Sequence, residues 1–151
     1  MPVKVLHISE YTKDGSSYES QEIRDPSWQE IESAIRRLDK FCFPFIWLFL
    51  TEDTEDIPHF QIIGGTKPFS GRADYWMEGN FGGYCGRRYS NPNVEGEDHE
   101  VCVWESDQGF YDYESTICHD VEGVIKATRY FYEHGGFDPT VSWEEQERVA
   151  E

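Results

Sequence analysis

Phe43-Pro44-Phe45-Ile46-Trp47-Leu48-Phe49-Leu50 is almost wholly apolar, and its reading decides the fold. Aromatic and β-branched side chains favour extended backbone, and a strand with one wet face would alternate with polar residues. This stretch does not alternate, so it predicts a central strand covered on both faces. The whole apolar run, Phe41 to Leu50, has ten residues with Pro44 inside it. A helix that spans a bilayer needs about 20.

A helix is written immediately upstream. Ser27 stands at an N-cap position with Glu30 three residues on, the pattern of a capping box. Ile31, Ala34, Ile35 and Leu38 then fall on one stripe, and Glu32 and Arg36 form an i, i+4 pair on the opposite side. The helix should end near Asp39-Lys40. Before it, Val3, Val5 and Ile8 predict a strand over 3–9, and residues 12–26 read as a loop or hairpin arm.

Downstream, His59 to Ile63 reads as a strand ended by Gly64-Gly65. Lys67 to Tyr89, rich in aromatics and glycine, has the grammar of a β-hairpin. Val101, Val103 and Trp104 mark another strand, Ser106-Asp107-Gln108-Gly109 a turn, and Phe110 to Ile117 the antiparallel return. Asp120 caps a second helix carried by Val121, Val124, Ile125, Thr128, Phe131 and Tyr132, and Gly135-Gly136 stops it. Trp143 anchors an acidic tail. Few helices and many hairpin-joined strands predict an α+β fold: one domain over 1–151, a mainly antiparallel sheet, and two helices packed on one face.

The chain has 30 acidic and 13 basic residues, a net charge of −17. Such charge with few aromatics would mean disorder, but 24 Phe, Tyr and Trp residues supply a core. Nucleic acids and anionic membranes carry the same sign as the protein, so neither is an expected partner; a basic protein is. Cys42, Cys85, Cys102 and Cys118 are too dispersed for zinc spacing and read as reduced thiols. The N-terminal residues lack the pattern of a secretory signal. Both features predict a cytoplasmic protein.

Signatures of catalysis are missing. The sequence has no G-x-S-x-G elbow, P-loop, G-x-G-x-x-G, H-E-x-x-H or C-x-x-C. Glu97-Asp98-His99-Glu100 does not follow the spacing of an EF-hand loop and reads as a solvated acidic loop. No catalytic residue, metal ligand or cofactor is assigned.

Five ordered stretches carry a family resemblance. They are Arg24-Asp25-Pro26-Ser27-Trp28 leading into Ile31 to Asp39; Phe43 to Leu50; Ile62-Ile63-Gly64-Gly65; Ser106 to Phe110; and Ala127 to Tyr132 with Gly135, Asp138-Pro139 and Trp143-Glu144. In this order, over residues 24–146, they resemble the first numbered family of immunity proteins from bacterial polymorphic toxin systems. The sequence departs from that pattern at Lys40, where glycine is common. The resemblance implies a non-enzymatic cytoplasmic antitoxin. Such a protein binds the toxin domain of its own system, often a nucleic-acid deaminase or a nuclease, and blocks its active site.

The contact surface is expected on acidic loops with nearby aromatics, since interface hot spots favour Trp and Tyr. The candidates are Asp53, Glu55, Asp56, Tyr75, Trp76, Glu97, Asp98 and Glu100. Two other readings remain: a small metal-dependent hydrolase using ligands near 97–100 and 119–120, and a non-catalytic adaptor module.

Overall fold

Ser27 caps the first helix in the way its sequence predicts. Its hydroxyl accepts from the Glu30 amide (3.2 Å), and the Glu30 carboxylate accepts from the Ser27 amide (3.0 Å). This helix, α1 (Trp28–Arg37), buries Ile31, Ala34, Ile35 and, at its C-cap, Leu38. The computed structural model describes residues 3–14, 16–53, 59–80, 86–106 and 109–146.

The first strand, β1 (Val5–Tyr11), pairs antiparallel with β2 (Tyr18–Arg24), so residues 18–24 are a hairpin arm. After α1 the chain enters β3 (Phe45–Phe49), then β4 (His59–Thr66), β5 (Ala73–Asn80) and β6 (Gly86–Tyr89). A hairpin of β7 (Glu100–Trp104) and β8 (Phe110–Tyr113) follows. The predicted return strand over 110–117 divides: a single 3-10 turn at Glu114–Thr116 separates β8 from β9 (Ile117–Cys118). The second helix, α2 (Val121–His134), starts on Asp120 and ends on Gly135 in the left-handed region. Trp143 opens β10 (Trp143–Gln146).

The main sheet runs β10-β6-β5-β4-β3-β1-β2, with every neighbour antiparallel and β9 paired to the first half of β5. The fold is therefore α+β with a mainly antiparallel sheet. Both helices pack on one face of it. Ile31, Ile35, Phe131 and Ala127 meet Leu6, Ile46, Leu48, Phe60, Ile62 and Met77 in a single buried cluster. Fully burying each such side chain contributes about 1.5–3 kcal/mol before chain entropy is charged against it.

Two expectations need correction. Gly64 and Gly65 do not end β4; they lie inside it, with φ of +134° and +146°. Their role is close approach. The chain leaving α1 passes directly over them: Thr66 N–H donates to Leu38 O (3.0 Å) and Lys40 N–H to Gly64 O (3.1 Å). The second correction concerns β3. It is central, but its two faces differ. Ile46 and Leu48 lie under the helices, whereas Phe45 and Trp47 on the other face are half-buried. The run looks continuous because aromatic residues take the positions that polar ones would take on a wetter face.

Candidate interaction surface

Among the described residues, the sheet face opposite the helices is covered by the β7–β8 hairpin over its middle strands. There the β7–β8 hairpin lays Val101, Val103 and Phe110 over Trp76, Ile63 and Ile117. Trp104 closes the hairpin's flank, edge-on to Phe45 (5.1 Å between ring centres) and Tyr11 (5.8 Å). Trp104 and Phe110 are thus packing residues.

Beyond the hairpin, the β2-β1-β3 part of this face carries a groove among the described residues: Ser9, Tyr11 and Phe49 are buried on it, His7 and Trp47 are half-buried and Tyr18 is exposed. Strand register sets its relief, because alternate residues share a face. Tyr18 lies opposite Tyr11, then Ser20 opposite Ser9, then Glu22 opposite His7, which is in turn opposite Trp47. The short serine pair therefore sits between taller rows and makes a groove of about 460 Å³. Stacked Tyr11 and Tyr18 (5.1 Å) form one wall. Trp47, stacked on Phe49 (5.9 Å), forms the other. Behind Trp47 stands His59, 5.0 Å away, whose burial pulls its pKa down from the ordinary histidine value. Glu22 Oε1 lies 3.8 Å from His7 Nδ1 at the groove's edge.

A second polar centre lies where the α1–β3 connection crosses the sheet. Lys40 takes φ +72°, a left-handed conformation that suits glycine best. Its side chain is buried and its ammonium pairs with Asp74, which is fully buried. Arg72 Nε donates to the same carboxylate (2.8 Å). Desolvation pushes the Asp74 pKa up, but Lys40 and Arg72 outweigh it and the net shift is downward. The contacts continue outward. His119 Nδ1 lies 2.9 Å from both Asp74 Oδ1 and Ala73 O, its Nε2 contacts Glu114, and Glu114 Oε2 lies 3.3 Å from His99 Nε2. Burial lowers the His119 pKa, yet the Ala73 carbonyl and the Glu114 and Asp74 carboxylates raise it further, and the net shift is upward.

A raised histidine pKa stabilises the fold most when the group is protonated. His119→Gln should therefore cost stability in full below the ordinary histidine pKa of 6.5. That difference from wild type should shrink as pH rises through the folded-state value. Urea unfolding at a series of pH values reads it directly; a difference that stayed flat or grew with pH would contradict this account.

The predicted contact residues do not gather into one site. Asp53 is exposed after β3, while Glu55 and Asp56 lie outside the described residues. Glu97 and Asp98 are exposed ahead of β7 and Glu100 is exposed at its start, with Asp98 accepting from the Ser115 amide (2.9 Å) and hydroxyl (2.6 Å). Tyr75 and Trp76 are corrections. Tyr75 is fully buried in the core beneath the helices, its hydroxyl 2.8 Å from Thr66 Oγ1. Trp76 lies under the hairpin and donates through Nε1 to Asp112 Oδ2 (2.8 Å). Neither reaches a partner without opening the core. Among the described residues no three His, Cys, Asp or Glu side chains are arranged to hold a metal ion.

The sequence reading missed Tyr18, Glu22 and Trp47. For Trp47 a signal is present: odd positions 45, 47 and 49 are aromatic and even positions 46 and 48 are aliphatic, a period of two hidden inside an apolar run.

The sequence matches no protein-family model, and no curated protein matches it. No helix among the described residues is long and apolar enough to cross a membrane.

Proposed function

We propose that this chain is a cytoplasmic antitoxin without catalytic activity, which binds a basic toxin domain of its own system and covers that domain's active site. The observation that carries the reading is the aromatic groove on β2, β1 and β3 in a protein of net charge −17. Rigid aromatics suit an interface because they bury large area at small entropic cost. The charge suits an enzyme that handles nucleic acid, whose cleft must be positive to hold phosphates. Opposed potentials then steer the encounter. The resemblance to immunity proteins supplies the toxin as the partner.

Co-expression with the toxin domain encoded beside it tests this. Growth should be rescued, a stable complex should be isolated, and its association rate should fall by about tenfold or more as salt is raised from low to near-molar concentration. Absence of both rescue and complex at micromolar concentration would overturn the reading.

A further inference from the structure

We propose that the groove between β2, β1 and β3 is a socket for an arginine side chain of the partner. This deepens the antitoxin reading and rests on it for the partner's identity. Four features of the groove point to a guanidinium. Its walls are flat rings, the exposed Tyr18 and the half-buried Trp47, each backed by a buried ring, Tyr11 (inclined by 28°) and Phe49 (18°). Aromatic faces carry negative charge density and attract cations within about 6 Å of the ring centre. A planar guanidinium stacks on such faces, whereas a hydrated ammonium does not.

The second feature is charge. Among the described residues lining the groove, Glu22 is the one carboxylate and none is Lys or Arg. The field of the whole chain adds to it. The third is shape: Ser9 and Ser20 leave the depth between the walls, and Ser9 is itself buried as the floor. The fourth is hydrogen-bonding capacity. The Ser20 hydroxyl and the Tyr18 phenol accept hydrogen bonds as well as donate them, while Ser9 Oγ is held 3.3 Å from His7 Nε2, and arginine brings five donors and no acceptor. Tyr18 is 60% exposed on the edge strand, so the socket is open to an approaching partner.

The test uses the full chain and a short blocked peptide, acetyl-Gly-Arg-Gly-amide, titrated to about 10 mM while backbone amide and indole NMR shifts are followed, a range that captures weak millimolar binding. Saturable shifts should appear at Ser9, Ser20 and the Trp47 indole. The citrulline peptide, of the same shape but uncharged, should bind at least about tenfold more weakly, since it loses both the cation–π attraction and the Glu22 interaction. Glu22→Gln should weaken arginine binding about fivefold and Tyr18→Ala about threefold. Both residues are exposed on β2, so neither variant threatens the core. Equal binding of arginine and citrulline peptides, a lysine peptide that binds as tightly, or no shift in the groove would each overturn the socket.

The toxin complex separates the two ideas. If it forms and Glu22→Gln with Tyr18→Ala leave its affinity unchanged, the socket is wrong and the antitoxin reading stands. If no toxin complex forms yet the arginine peptide shifts the groove and citrulline does not, the socket stands without that reading.

Discussion

Gly65→Ala is expected to abolish or nearly abolish the folded state, with a loss of about 4 kcal/mol or more, the range reserved for changes the structure cannot absorb. A Cβ at this position would lie 2.3 Å from the Leu38 carbonyl carbon and 2.4 Å from both Leu38 O and Asp39 N. All three are backbone atoms, so no side chain can swing aside. The same contact carries the crossing of the α1–β3 connection over β4, where Asp39 bridges to Gly65. Relief would require the chain to lift off the sheet and break the Thr66–Leu38 and Lys40–Gly64 hydrogen bonds. Gly71→Ala is the control. Gly71 also has positive φ, +69°, but a Cβ there meets nothing within 4 Å. Its expected loss is only the conformational cost, about 1–2 kcal/mol. Urea unfolding of both variants, compared at equal m-values, separates close approach from dihedral strain. Equal losses at the two positions would refute the packing argument.

Asp74→Asn should be the second most damaging change, at about 3–5 kcal/mol, because it strands the buried Lys40 ammonium. Lys40 is 2% exposed and cannot reach water without unpicking its backbone, whose carbonyl accepts from the Glu105 amide (2.7 Å) while its amide donates to Gly64 O. Arg72, whose side chain is 58% exposed, can turn to solvent when the carboxylate is lost; Lys40 cannot. The double variant Lys40→Met, Asp74→Asn should therefore recover most of the stability, since it leaves no charge buried. If Asp74→Asn alone stays within about 1 kcal/mol of wild type at neutral pH, the pair is not what fastens the crossing. The sign with pH follows from the lowered Asp74 pKa. Its contribution is present above the ordinary carboxylate value of 3.8 and fades as pH falls through the folded-state value.

These two sites sit together. Gly65 lies opposite Asp74 across β4 and β5, and a Cβ on Gly64 would strike Asp74 O at 2.1 Å. One junction thus combines two glycines at which no Cβ would fit with a buried ion pair. Lys40 stands at this junction with φ +72°. The position needs a left-handed backbone, which glycine meets freely; lysine adopts it here while its ammonium pairs with Asp74.

The candidate surface was less legible than the fold. Acidic loops attracted attention because charge is conspicuous in sequence, yet Glu97, Asp98 and Glu100 lie exposed outside the lining of the aromatic groove. Tyr75 and Trp76 read as exposed aromatics in a glycine-rich stretch, and they are core residues because β5 is a central strand, flanked by β4 on one edge and by β6 and β9 on the other. Residues 18–24 fall in the polar stretch 12–26, which reads as a loop or hairpin arm. As the edge strand they supply one wall of the groove and its carboxylate.

What the sequence determined by itself was local. The Ser27–Glu30 box, the 31-34-35-38 stripe, the Asp120 cap and the Gly135 stop each depend on hydrogen bonds or periodicity within a few residues, and each stands in the structure where the sequence placed it. The tertiary structure decided what depends on distant segments meeting. It set which face of β3 the helices cover, how far the β7–β8 hairpin reaches across the other face, and where Lys40 finds Asp74, 34 residues away. Coverage of a strand face is a property of neighbours in space, and no pattern within the strand records which neighbour is missing.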